Sequence, residues 1–349
     1  NNWSVCTNTG MNLLDPGDSP RENTQFLLFL AAVIKAVDEH QDLLRISVAS
    51  AGNDHRLGAA EAPPAIVSMY LGDELTEILE AIESDAPYGA KEKENLKVGV
   101  HVLPKFPRDT TDRNRTSPFA FTGNKFEFRM PGSSISIACP NVMLNTGVAD
   151  VLRDFADRLE KADDFDSEVN ALISETMRDH KRIIFNGNNY SEEWRKEAAT
   201  RGLPDIKDAV EAAKALISQK NIDLFQRHAV FSRKELESRY EIHLESYAKT
   251  VNIEANTMME MTRRQIIPAV VKYAKFLSET LVSLKDTGLA EDVSLEAGLL
   301  KDVSAASAAL RTALSKLEKA QEKGVAMENG WEKAVYYRDK VLPAMEALR

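Results

Sequence analysis

Lys125, Glu127 and Arg129 occupy alternate positions of Lys125-Phe126-Glu127-Phe128-Arg129, so a β-strand would carry all of them on one face and both phenylalanines on the other. A carboxylate flanked by cations suits anion chemistry: the acid can hold a divalent ion while the cations hold phosphate or carboxylate oxygens. Just upstream, Arg113 and Arg115 add guanidinium groups in a polar loop. The plainer alternative is a solvated sheet face, on which a row of ionic side chains is ordinary. These residues alone leave both readings open.

A second stretch, Gly52 to Pro64, is rich in turn formers and sets one isolated acid, Glu61, among small residues. Asp54, His55 and Arg56 adjoin one another, but no serine or cysteine nucleophile stands at a fixed position beside them, and His55 reads as an orienting or packing residue. A loop over residues 47 to 63 could close on a site as a flap, or simply connect into a helix.

The strings AGNDHRLGAAEAPPAI (51–66) and NRTSPFAFTGNKFEFRMPGSS (114–134) resemble the active-site half of glutamine synthetases, most of all the large bacterial type III branch. The resemblance runs from Asn1 to about residue 150 and continues more loosely through the remainder. It implies ATP-dependent ligation of ammonia to L-glutamate through a γ-glutamyl phosphate, with bound Mg2+ or Mn2+. By that resemblance Glu61 is the flap glutamate that takes a proton from ammonium and shields the acyl phosphate from water, and Arg56 holds substrate glutamate. Arg115 reaches the transferred phosphate, and Arg129 serves the substrate and its developing phosphate. Glu127 is implied as a metal ligand. Lys125 stands where an arginine lies near the nucleotide phosphates, and Asn2 and Ser4 fall beside the nucleotide.

Two departures qualify the pattern. The family's Gly-Ser-Gly-x-His segment, whose histidine binds metal, would lie before Asn1, so the amino-terminal β-grasp domain and the other metal-ligand glutamates are expected outside this chain. A phosphate-side arginine of the type I enzymes falls on Ala120, leaving Lys125 or Arg113 to cover that charge. The resemblance further implies a homo-oligomer, a dodecamer of two stacked hexamers with sites built across subunit boundaries, or else a complementing amino-terminal half. Two other functions stay in view: a non-catalytic helical assembly or regulatory fragment, and a γ-glutamyl-amine ligase that takes methylamine or a polyamine.

The elements that must position these residues follow from periodicity. Phe119 and Phe121, then Phe126 and Phe128, flank Thr122-Gly123-Asn124 and predict a hairpin with one buried face. A strand is expected over Asn1 to Leu14, and another over Leu96 to Val102 carrying His101. Ser19-Pro20-Arg21-Glu22 reads as a capping start for an apolar helix running to about His40 and packed on the sheet. A further helix is expected from Pro64, interrupted near Gly72, to about Ser84.

Later helices are expected over 141–161, 168–185 and 206–219, with Asn186-Gly187-Asn188-Asn189 a break. Ser232 to Leu284 is the longest helical pattern, kinked at Pro268, and two more seams follow, one from Val303 to Leu317 and one from Trp331 to Leu348. The expected class is α+β: an antiparallel sheet with helices over 1–150, the carboxy-terminal part of a glutamine synthetase catalytic domain, a helical or irregular segment over 151–231, and a long-helix antiparallel bundle over 232–349.

The 349 residues, 43% hydrophobic and 28% charged, suffice for a substantial core. A formal net charge of −10 argues against nucleic acid or an anionic membrane as partner. The longest apolar run, Phe26 to Val37 broken by Lys35, is too short to span a bilayer, and a cytoplasmic location is expected. Cys6 and Cys139 form no metal or redox motif and are read as reduced, buried thiols, with Cys139 in a strand-like segment.

Overall fold

The computed structural model describes residues 1–59, 62–84, 114–288 and 292–349, which form two compact units, Asn1–Glu237 and Ser238–Arg349. Glu61, Arg113 and the expected strand with His101 lie outside the described residues. The class is α+β, mainly helical with one small sheet.

The sheet has the order β1(Asn2–Trp3)–β4(Phe126–Phe128)–β3(Phe119–Phe121)–β2(Met69–Tyr70). The expected hairpin is present, with Ala120 opposite Glu127 and Phe121 opposite Phe126, and its turn closes through Thr122 N–H on Lys125 O at 2.8 Å. Gly123 sits at φ +89°, a conformation that costs an L side chain but not glycine. Phe119, Phe126 and Phe128 are fully buried, and Phe119 stacks on Phe126 with centroids 4.7 Å apart.

Two expectations about the sheet need correction. It is mixed rather than antiparallel, because β2 runs parallel to β3. β2 also replaces the first part of the helix expected from Pro64: Pro63 and Pro64 favour extended backbone, and Ile66, Met69 and Phe185 find strand-like partners at Asp205, Ile184 and Met69 O. The helix itself, α4 (Asp73–Glu83), starts only after Gly72. Of Asn1 to Leu14 only Asn2–Trp3 is regular strand; the rest turns back through a Cys6–Asn12 bridge.

α1 (Thr24–Glu39) is capped by Asn23, whose Oδ1 accepts the Phe26 N–H at 3.0 Å, not by Ser19. Ser19 instead closes a turn with Glu22, while Asn23 also ties down the carbonyls of Asp15 and Pro16. Phe26 meets Phe121 at 5.9 Å, which seats the start of α1 on the hairpin, and the helix is buried between α5 (Ala138–Leu159) and α6 (Phe165–His180). Cys139 lies in the first turn of α5 rather than in a strand, and Cys6 is exposed, so burial holds for neither thiol in full.

The expected loop over 47–63 contains a short helix, α3 (Ala51–Arg56), capped by Ser50 through the Asn53 N–H at 3.1 Å. α2 (Gln41–Ile46) precedes it. A helix missing from the sequence reading, α7 (Glu192–Thr200), places Trp194 in a small core with Ile66, Ala198 and Leu203. The helix expected over 206–219 divides into α8 (Ala209–Ala213), a 3-10 turn, and α9 (Gln219–Arg227).

α10 (Arg233–Met261), which lies in the second unit from Ser238 on, continues through a π turn, Thr262–Ile266, into α11 (Ile267–Thr287). The π turn stands just ahead of Pro268, where the missing N–H and the ring displace the regular i to i−4 bond. The same arrangement recurs at Tyr337–Val341, ahead of Pro343, between α13 (Gly330–Tyr336) and α14 (Leu342–Leu348). α12 (Ser294–Val325) packs on α11 and α14. Leu244, Tyr247, Val251, Leu317, Tyr337 and Val341 form the buried seam, and Asn252 Oδ1 within it accepts from Gln321 Nε2 at 2.9 Å and Tyr337 OH at 3.0 Å.

Candidate functional site

β4 turns its two phenylalanines into the core and leaves Lys125, Glu127 and Arg129 on the opposite face, as the alternation requires. Across the sheet Glu127 is level with Asn2 on one side and Ala120 on the other. Arg129 Nε and Nη2 both donate to Glu127 Oε2, at 3.2 and 2.9 Å. Arg129 Nη1 turns the other way and donates to the carbonyls of Asn114 and, at 3.4 Å, Ser117. The guanidinium is thus held between its own strand and the loop leading into β3, half-shielded with 18% of its side chain exposed.

The end of β4 is fastened from α3. Arg56 Nη1 donates to Met130 O at 2.9 Å and Nη2 to Arg129 O at 3.0 Å. Asn53 Nδ2 reaches Met130 O at 3.0 Å and Val48 O at 2.8 Å. Arg56 therefore lies directly behind the Arg129 backbone, with both terminal nitrogens committed to carbonyls.

Asp54 faces away from this site. Its carboxylate accepts from Arg45 Nη2 at 2.8 Å and from the Ala209 N–H at 2.7 Å, so it secures the start of α8. Burial pushes its pKa up, against the opposing pull of Arg45 and the Ala209 N–H. His55 is exposed and joins no cluster with its two neighbours.

The remaining sequence candidates distribute along the hairpin. Ser4 is at the turn end, its Oγ donating to Asn12 Oδ1 at 2.6 Å and Asn124 O at 3.2 Å. Lys125 is half-buried on the Glu127 face, and Arg115 is exposed one residue beyond Asn114. Glu127, Arg129, Asn2 and the Arg56 support are brought together; Ser4 and Arg115 flank them; Glu61 lies outside the described residues.

Among the described residues no group of three or more His, Cys, Asp or Glu side chains could hold a metal ion. Glu127 is a single carboxylate already engaged by Arg129, so the described residues do not by themselves fit a divalent cation. No described helix is long and apolar enough to cross a membrane.

The sequence reading missed the asparagine-rich loop 186–189, which it took as a break. Asn186 Oδ1 accepts the N–H groups of Leu71 and Gly72 at 3.2 and 3.1 Å, and Asn114 Nδ2 donates to the carbonyls of Asn186 and Gly187 at 3.0 and 2.6 Å. The available signal was the density of asparagines, each with a donor and an acceptor to satisfy.

Residues 168–285 match the glutamine synthetase C-terminal domain. The whole chain is similar, at 46% identity, to a glutamine synthetase of Butyrivibrio fibrisolvens, of which it covers 50%. It is 45% identical over 81% of its length to the type-3 glutamine synthetase of Dictyostelium discoideum, covering 39% of that protein. A glutamine synthetase of Bacteroides fragilis is 38% identical over the whole chain, which covers 49% of it. The chain spans about half the length, or less, of the curated relatives it matches. Along its whole length the chain is similar to glutamine synthetases, and its residues 168–285 match their C-terminal domain.

Proposed function

We propose that this chain supplies one half of the site of an ATP-dependent ligase that joins ammonia to L-glutamate, giving L-glutamine, ADP and phosphate. The observation that carries the reading is the Arg129–Glu127 pair on the polar face of the hairpin, fastened from behind by Arg56. The γ-phosphoryl group of ATP passes to an oxygen of the glutamate γ-carboxylate, and ammonia then attacks the γ-carbonyl and expels phosphate. Arg129 and Arg115 put positive charge where negative charge spreads over the transferring phosphoryl group, so they stabilise the transition state more than the ground state. Glu61 takes the proton that ammonium must lose before its nitrogen can attack. Lys125, Asn2 and Ser4 line the nucleotide side.

The reading includes Mg2+ or Mn2+ with Glu127 as one ligand; the other donors, like the rest of the substrate site, belong to the half of the relatives that this chain does not span. Residues 1–150 are the catalytic half-domain in this assignment, followed by the helical segment 151–231 and the helices of 232–349. The assembled protein is a cytoplasmic homo-oligomer, with twelve subunits in two stacked rings.

The test is phosphate release from ATP by the full-length natural protein with glutamate and ammonium, alone and together. Release that needs both substrates, stops with methionine sulfoximine, and falls at least tenfold in Arg129→Lys supports the reading. Release unaffected by Arg129→Lys overturns the site. Methylamine accepted as well as ammonium would assign the amine-ligase activity instead.

A further inference from the structure

Arg129 is held at its far side by a carbonyl, Asn114 O, and that carbonyl is itself positioned from elsewhere in the first unit. Asn114 Nδ2 reaches the carbonyls of Asn186 and Gly187. Its Oδ1 accepts the Thr116 N–H at 3.0 Å and the Thr116 hydroxyl at 2.6 Å. Thr116 Oγ1 in turn accepts the Asn189 N–H at 2.9 Å. Asn189 is fully buried, and its Oδ1 accepts from the buried Ser68 hydroxyl at 2.6 Å. An unbroken chain of hydrogen bonds therefore runs from loop 186–189 to the guanidinium that serves the phosphoryl group.

The loop has little room to shift. A Cβ at Gly187 would lie 2.6 Å from Phe185 Cζ, and the Phe185 ring is stacked on Trp194 at 3.8 Å with the Arg201 guanidinium 5.7 Å from its centroid. Asn186 is fixed as well, since its side chain holds Leu71, Gly72 and Thr76.

We propose that loop 186–189, acting through Thr116 and Asn114, is a positioning element for Arg129, so that packing around Phe185 and Trp194 in the matched C-terminal domain sets the aim of the phosphoryl-binding cation. This rests on the function proposed above for Arg129. Misplacing a charge by about 1 Å costs up to about a hundredfold in rate, and the hydroxyl of Thr116 is a link that can be removed with little change of shape.

The experiment compares Thr116→Val, Thr116→Ser and Gly187→Ala with Arg129→Lys in the full-length natural protein, measuring kcat, KM for ammonium and the melting midpoint. Thr116→Val is isosteric and removes the hydroxyl link while the Asn114 Nδ2 bonds to Asn186 and Gly187 remain. Its kcat is expected to fall about tenfold or more, with KM for ammonium within twofold and a lowered melting midpoint, because the buried Asn189 N–H loses its acceptor. Thr116→Ser keeps the hydroxyl and restores kcat to within twofold. Gly187→Ala is expected to lower kcat as Thr116→Val does. If Thr116→Val keeps full activity while Arg129→Lys loses it, the positioning role is overturned and the role of Arg129 stands. If Arg129→Lys is itself fully active, both fall.

Discussion

Arg129 places Nε and Nη2 on one oxygen of Glu127, at 3.2 and 2.9 Å, and among the described residues Glu127 Oε1 accepts no hydrogen bond. The pair has a geometry a lysine cannot copy, because a planar fork with fixed donors is replaced by a single ammonium. Arg129→Lys should lower kcat/KM about a hundredfold or more, the usual cost of losing one preorganised donor. Stability should change by less than about 1 kcal/mol, since the pair is part-exposed. Steady-state kinetics beside a thermal melt separate the two effects; a melting loss that tracks the rate loss would make the pair a structural one.

Arg56 is the opposite case. Its terminal nitrogens are bonded to the carbonyls of Met130 and Arg129, so Arg56→Ala leaves the Arg129 carbonyl without its partner and Met130 O with Asn53 Nδ2 alone. The expected cost is about 1.5 to 3 kcal/mol for charge-assisted bonds in a half-buried setting. A urea titration should show it, with KM for glutamate rising because the strand under Arg129 loosens.

Arg45 is fully buried and is balanced by Asp54 alone among acids paired with it in the described residues. Asp54→Ala should cost about 3 to 5 kcal/mol by stranding that charge, although Asp54 touches nothing in the candidate site. Replacing both, as in Arg45→Met with Asp54→Ala, should recover much of the loss, read by the same denaturation curve.

His40 predicts a pH effect independent of catalysis. It is buried, with neither ring nitrogen hydrogen-bonded among the described residues, and burial first, then the charge of Lys220, holds its pKa below the ordinary 6.5, against the opposing pull of Asp42 and Asp150. Below 6.5 the unfolded chain takes up a proton that the folded one refuses, so stability present above 6.5 is lost as pH falls toward the depressed value. His40→Gln should flatten the melting midpoint between about pH 6.5 and 5; an unchanged pH slope would remove His40 as its source.

Legibility differed by the range of the interaction. The hairpin, its buried phenylalanines and the ionic row beside them were readable because alternation is a local rule that any strand obeys. The long helical repeats were readable for the same reason, and even the disturbance at Pro268 was foreseen, though as a kink rather than a π turn. The helix expected from Pro64 failed because Met69 and Phe185 meet across more than a hundred residues, and no local pattern reports such a partner.

The sequence by itself determined which side chains share a face and which family the motifs resemble, since both depend on spacing along one segment. Only the tertiary structure decided that Arg56 stands behind Arg129, that Asp54 accepts the first N–H of a distant helix, and that an asparagine loop grips Asn114. Each of those is a hydrogen bond between segments 72 or more positions apart in the chain. Donors and acceptors are common enough in any sequence that their pairing is fixed by where the packed core brings the backbone, not by their spacing along it.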